Sequence, residues 1–517
     1  MDKKKKFKYG FIVWIMIFVI AIVRKALQND TFYTIKIGEL ILKNGIDMMD
    51  HFSIHMGIPY TYPHWLYDVF IYLIYHLFGY SGVYISSMVL LYILLLIVFK
   101  INIKNTNNYI MSALGVFLCA LAISSFATAR AQLVSFILFA SEIYFIESFL
   151  KNGNKRYLIG LILISLILCN IHVAVWPFYF ILYLPYLVEY LVTIICRKIK
   201  LKKENKFINF LKKRFILEEN KNIKYLFLTM IGSLLTGLIT PIGTTPYTYF
   251  IKTAMGNSQK YIQEHQMITW KDSPFTIIIA METIFFAIFS KAKLRDLFMI
   301  GGVVFMSIIS IRHISLLALI GTICFVRIFV IFLENFNLDI DNKIINFFNR
   351  KGIFICSYIL VIVFMALMLN NNTKIEYVNH ELYPVEATKY IKENINIEKM
   401  RLFNEYNFGS YLLLNDIPVF IDSRADLYTK EFSGLDYDIF DDFERMNVSY
   451  REKFEFYNIT HALVYKKDNP MYSLLSNDTN YKLIYDDDYF ALFEKLENPD
   501  VIVMYDDNKN MALKYNN

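Results

Sequence analysis

The stretch NDTFYTIKIGELILKNGIDMMDHFS, residues 29–53, decides the class of fold. It follows one apolar run, residues 9–24, which is preceded by the basic start MDKKKKFK. Lysines ahead of an apolar run hold that end in the cytoplasm. No small-x-small cleavage site follows in Arg24-Lys25-Ala26-Leu27-Gln28, so the run is expected to be an uncleaved first span. The stretch then emerges on the outer side. The loop it opens, 25–64, carries Asp30, Glu39, Asp47, Asp50, His51, His55 and His64. An anchor or a transporter needs no acidic, histidine-bearing loop of this length between its first two spans. A membrane-embedded transferase does, because its base or metal ligand must meet a lipid-linked substrate at the membrane surface.

Outward from this loop, the composition is that of a polytopic membrane protein. The 517 residues are 56% apolar and 17% aromatic, with 19% charged. Apolar runs of spanning length recur at about 82–99, 109–126, 131–149, 157–170, 173–195, 225–240, 275–290, 297–311, 314–333 and 352–370. The connection 196–224 holds eleven Lys+Arg and three acids, which places it in the cytoplasm. The other basic links fall on the same side only if 65–79 does not cross. That aromatic segment, with Asp68 and His76, reads as a helix lying in the outer interface. The expectation is about eleven transmembrane helices, a cytoplasmic N-terminus, an extracytoplasmic C-terminus, and outer loops at about 25–81 and 241–274.

The charge divides the chain in two. Residues 371–517 hold 16 Lys+Arg against 27 Asp+Glu, and the rest holds 37 against 19. A membrane unit, 1–370, is therefore expected to be followed by a soluble extracytoplasmic unit, 371–517. A helix from Pro384 to Asn394 and strands at Ile417-Pro-Val-Phe-Ile, Ala462-Leu-Val-Tyr and Tyr489-Phe-Ala-Leu-Phe predict a small α/β fold there. Nucleic acid is excluded as a partner, because the positive charge sits in short loops between spans. The five cysteines, Cys119, Cys169, Cys196, Cys324 and Cys356, lie in or beside apolar runs, without zinc spacing or a disulfide framework.

Ionisable groups at membrane depth are costly and so carry information. Asp30 sits just past the first span. It reads as a base for an acceptor hydroxyl, as a ligand for a divalent cation, or as a helix cap before Thr31. Asp47 and Asp50, beside His51, suit a metal site or a solvated turn. Glu142 is expected to be paired inside the bundle. Arg130 and Arg312-His313 open two spans at the outer face, where an arginine grips a phosphate or snorkels to headgroups. His172, in the turn between two spans, suits a substrate contact or a helix end. Glu264 and His265 of the second outer loop are placed to cover the site or to stand in solvent. There is no P-loop, Gly-x-Gly-x-x-Gly, Gly-x-Ser-x-Gly or His-Glu-x-x-His, which argues against nucleotide hydrolysis and serine or zinc protease chemistry.

Four places together resemble the GT-C superfamily of polytopic glycosyltransferases, in particular bacterial polyprenyl-phosphate-sugar mannosyl- and arabinosyltransferases. They are Asp30 with Gly38-Glu-Leu-Ile-Leu-Lys-Asn-Gly45 and Asp50-His-Phe-Ser; Pro63-His-Trp-Leu-Tyr with the helix ending Phe78-Gly79; Arg130-Ala-Gln132, similar to Arg-Pro-Gln; and the tail segments Phe403-Asn-Glu-Tyr-Asn-Phe-Gly-Ser-Tyr-Leu and Val419-Phe-Ile-Asp-Ser-Arg-Ala-Asp-Leu-Tyr. The resemblance implies a polyprenyl-phosphate-linked sugar as donor, a glycan, lipid or protein as acceptor, inversion at the anomeric carbon, and an outer-loop acid as base. That role transfers onto Asp30, with Asp50 in reserve, and Arg130 and Gln132 fall to substrate. Mg2+ or Mn2+ is the cation such carboxylates would hold, although no contiguous Asp-x-Asp follows the first span.

Two other classes compete. A flippase or transporter of lipid-linked glycans would show paired broken helices and internal pseudo-symmetry; Gly232, Gly237 and Gly301-Gly302 have no matching halves. A non-catalytic scaffold would use the acidic tail to bind a cell-envelope partner. The position of Asp30 discriminates. A groove shared with Arg130 or Arg312 favours the enzyme, and open solvent favours the scaffold.

Overall fold

The computed structural model describes residues 3–200, 215–216, 220–256, 266–267, 269, 271, 274–336, 338, 340–496, 501–505 and 511–515. The chain begins with α1 (Lys3–Ile22), α2 (Asn29–Asn44), α3 (Trp65–Thr106), α4 (Tyr109–Ala122), α5 (Ala131–Asn152), α6 (Arg156–Ile171) and α7 (Trp176–Lys200). Apolar helices follow at Ile223–Ser233, Pro274–Phe289, Leu294–Ile309, Ile314–Asn335 and Lys351–Thr373. Among the described residues, four segments are long and apolar enough to cross a membrane: Trp65–Thr106, Ala131–Asn152, Val173–Lys198 and Ile311–Asn335. Five shorter apolar helices accompany them. The protein is a helical, multi-pass membrane protein.

α3 joins two segments that the sequence separates. Its helical geometry fails at Gly79 (φ 61°, ψ −159°), a conformation open to glycine because it has no Cβ. The aromatic segment 65–78 therefore turns away from the span that follows. Gly38 permits a second close approach. A Cβ there would lie 2.2 Å from the carbonyl oxygen of Asp68, so α2 rests with its backbone against the first turn of α3.

Charge is also buried within the bundle. Arg327 meets Glu147 at 2.8 Å and Asp296 at 3.1 Å, and Arg295 meets Glu189 at 3.2 Å and Glu147 at 3.4 Å. Each of these helices carries a charge that another helix neutralises. Glu142 differs from the expectation of a paired carboxylate. It is fully buried, and neither carboxylate oxygen has a hydrogen-bond partner among the described residues.

The tail contains a four-stranded sheet. Its strand order is Leu402–Asn404, His461–Tyr465, Phe490–Lys495, Tyr481–Asp486; the first pair is parallel and the others antiparallel. The helix Val385–Asn394 starts just after Pro384. The expected strand at Ile417-Pro-Val-Phe-Ile is not one. Pro418 has no N–H to give a ladder, and the segment makes a single bridge, Val419 to Ser53 of the first outer loop. The apolar core of the tail is continuous with the first outer loop. One apolar cluster runs from Phe403, Leu412, Ile421 and Leu463 into Phe32, Ile35 and Ile37 of α2 and into Ile54 and Tyr60 of the loop. Phe32 stacks edge-on against both Tyr383 and Tyr411.

Candidate active site

Between this shared layer and the helices lies a cavity of 1040 Å³. That is at the upper end of ordinary ligand pockets. Asp30, Arg130, Gln132, His172, Arg312 and His313 all line it. α2 begins at Asn29, so Asp30 lies within its first turn rather than capping it. There a carboxylate also meets the positive end of the helix dipole. Asp30 Oδ2 stands 2.7 Å from Nη2 of Arg130. Arg130 is the extended residue immediately before α5 (φ −130°, ψ 151°), which directs its side chain across the helix end.

A hydrogen-bonded link joins Gln132, two residues after Arg130, to Arg312. Gln132 Nε2 donates to Ser315 Oγ (3.0 Å), and Ser315 Oγ donates to the carbonyl of Arg312 (3.0 Å). His172 lies opposite, its Nδ1 2.9 Å from Ser135 Oγ. Burial holds His172 well below the ordinary imidazole value, and His64, Arg312 and Arg130 add to this. It is therefore neutral at pH 7. His313 donates from Nδ1 to the carbonyl of Met306 at 3.0 Å, which leaves Nε2 as its acceptor.

Asp47 and Asp50 do not line the cavity. Asp47 pairs with His51 at 2.6 Å on the exposed side of the loop. Asp50 is fully buried and meets Arg424 of the tail at 2.6 Å, and Arg424 also holds Asp422 at 2.7 Å. Burial alone would raise the Asp50 carboxyl. Arg424 and Ser53 outweigh it and hold the group below the usual carboxylate range. Asp30 and Asp50, the two expected metal ligands, thus answer to different arginines. Among the described residues no group of three or more His, Cys, Asp or Glu is placed to hold a metal ion. This pair, as placed, does not fit a cation. Glu264 and His265 lie outside the described residues.

Other residues line the cavity as well. Tyr33 and His64 enter from the first loop, and Glu405, Asn469 and Arg424 enter from the tail. Glu405 accepts from the backbone N–H of Tyr465 (2.9 Å) and from Asn469. Burial pushes its carboxyl up to about 7. Its place in the tail segment Phe403-Asn404-Glu405-Tyr406 is the only sequence signal for it, and nothing local indicates burial beside a cavity.

No protein-family model and no curated protein matches the sequence. Solved structures do match. The chain is similar to the apo oligosaccharyltransferase of Archaeoglobus fulgidus, with a TM-score of 0.56 at 9% identity over 88% of this chain and 69% of that one. It is similar also to the same organism's oligosaccharyltransferase tethered by a disulfide to an acceptor peptide containing the NVT sequon. There the TM-score is 0.53 at 9% identity, over 98% of this chain and 74% of that one. At this identity the likeness establishes a fold. The chain shares the fold of those two structures.

Proposed function

We propose that this protein is an integral-membrane, inverting glycosyltransferase. It moves a sugar from a polyprenyl-phosphate donor to a glycan, lipid or protein acceptor on the outer face of the membrane. The observation that carries this reading is the place of Asp30, in a cavity shared with both Arg130 and Arg312. A scaffold has no use for that arrangement. The neighbouring fold crystallised with an acceptor peptide supports a bulky acceptor, and the cavity has room for one.

The chemistry follows from the charges. The leaving group is a phosphate, so it needs charge stabilisation more than protonation. Arg130 and Arg312 supply this through charge-assisted hydrogen bonds. Asp30 accepts the proton of the attacking hydroxyl as the oxygen bonds to the anomeric carbon, on the face opposite the phosphate. The tail closes the cavity and binds the acceptor. In this reading the chain crosses the membrane about eleven times. The N-terminus is cytoplasmic, and residues 371–517 lie outside.

The test is incubation of the purified protein with a panel of polyprenyl-phosphate sugars and candidate acceptors, scoring lipid-phosphate release. Release by the natural protein and its loss in Asp30→Asn is the expected result. Equal release by both removes Asp30 as the base.

A further inference from the structure

A hydrogen-bonded chain runs away from the cavity beside Asp30. Tyr33 lies one turn further along α2 on the same face, and both residues line the cavity. Tyr33 Oη is 3.1 Å from His64 Nε2, and His64 Nδ1 is 2.8 Å from Asp68 Oδ1. Asp68 is completely buried and Tyr33 nearly so. Gly38 makes the arrangement possible, because any larger residue would strike the Asp68 backbone and push α3 away from Tyr33. The chain is thus built between two helices in backbone contact.

The chemistry of the three groups gives it a direction. A carboxylate on Nδ1 holds the proton there and leaves Nε2 with a lone pair. Nε2 then accepts from Tyr33, whose oxygen is free to accept from the cavity side. Other charged or titratable groups around His64 are Asp30 on α2, Tyr60 of the loop, Tyr67 on α3, Arg130 before α5, His172 after α6 and Arg424 of the tail. Asp30, by contrast, is a poor final resting place for a proton. Protonating it dissolves its 2.7 Å ion pair with Arg130.

Resting on the transferase reading above, we propose that Tyr33, His64 and Asp68 form a proton relay that drains Asp30 after each transfer. The acceptor O–H proton passes first to the Asp30 carboxylate as the new C–O bond forms and the lipid phosphate departs with its electron pair. Asp30 then gives the proton to Tyr33 Oη as Tyr33 gives its own to His64 Nε2. The imidazolium is balanced by Asp68, Asp30 returns to the carboxylate that pairs with Arg130, and once product has left, His64, which lines the same cavity, releases the proton to water there. Tyr33 and His64 are positioning and relay residues, one step removed from substrate.

Two measurements test the relay on the full-length protein. In detergent-solubilised protein labelled with 15N-histidine, the His64 signals are assigned by their loss in His64→Gln. The expected result is a protonated Nδ1 and an unprotonated Nε2, with the Nε2 signal moving in Tyr33→Phe. A proton on Nε2 in the resting protein overturns the relay. In the lipid-phosphate release assay, Tyr33→Phe and His64→Gln should lower kcat by about 10²-fold with donor KM unchanged. The Asp30→Asn, Tyr33→Phe double variant should fall no further than Asp30→Asn alone. Should His64→Gln not fold, Tyr33→Phe, which keeps the ring, decides alone. A natural kcat in Tyr33→Phe overturns the relay and leaves the transferase reading intact. A natural protein that transfers no sugar from any polyprenyl-phosphate donor overturns both.

Discussion

Asp30 and Arg130 illustrate at the residue scale how a single contact changes two roles. Each residue alone has a bland alternative, a helix cap and a headgroup contact. Joined at 2.7 Å in a cavity, they are, in the proposed transferase, a base and a phosphate ligand that hold each other in place until substrate arrives. Asp30→Asn keeps size and hydrogen bonding but removes the base, so turnover should fall by about 10²–10⁴ while the folded protein survives. Paired assays of lipid-phosphate release and melting temperature check this. Arg130→Lys and Arg312→Lys should not restore donor binding, because the planar fork is lost. Each Ala variant should weaken donor binding by about 1.5–3 kcal/mol, read by donor titration. Glu405 predicts a pH effect. Its folded carboxyl holds a proton up to about 7, whereas an unfolded Glu releases it near about 4.3. The folded state therefore binds more protons between these values, and stability declines as pH rises through them. Glu405→Gln should flatten that decline in melting temperature against pH.

At the scale of elements, a buried staple helps to fasten the first outer loop to the tail. Phe52 O accepts from Val419 N (3.1 Å), Val419 O accepts from Ile54 N (2.9 Å), and His55 meets the Phe420 carbonyl at 2.8 Å. Arg424 sits between Asp50 and Asp422. Removing one member of a buried ion pair leaves an uncompensated charge, at a cost of about 3–5 kcal/mol. Arg424→Ala should therefore lower the melting temperature more than Asp47→Ala, whose carboxylate is exposed. The same staple should be acid-labile. Asp50 is held below the usual carboxylate range, so its contribution is complete above about pH 4 and is lost as pH falls further. Limited proteolysis near residue 420 as a function of pH reads this. The staple also explains why residues 417–421 are not a strand: their β-rich, apolar composition serves burial against the loop, and Pro418 blocks a ladder.

The whole molecule is a membrane bundle and a tail that share one apolar layer. Residues 371–517 expressed alone would expose the face of Tyr383, Tyr411 and Leu412 that normally packs on α2. That fragment should bind an apolar dye more strongly than the full chain does. Orientation can be read separately: cysteines placed in 371–496 should label from outside intact cells, and those in 196–224 should not.

The sequence by itself determined the class of molecule, because apolar run length and lysine placement are local and additive along the chain. It also supplied Asp30, Arg130, Gln132, His172, Arg312 and His313, all beside span ends, each with a bland alternative of its own. Only the tertiary structure decided which carboxylate faces the cavity. Asp30, Asp47 and Asp50 have similar local surroundings in one loop, but a tail residue nearly four hundred positions away, Arg424, claims Asp50 and leaves Asp30 to Arg130. Tyr33, His64 and Asp68 were invisible as a set for the same reason. Their alignment depends on α2 and α3 touching at Gly38, and a contact between two helix backbones leaves no periodic trace in either helix.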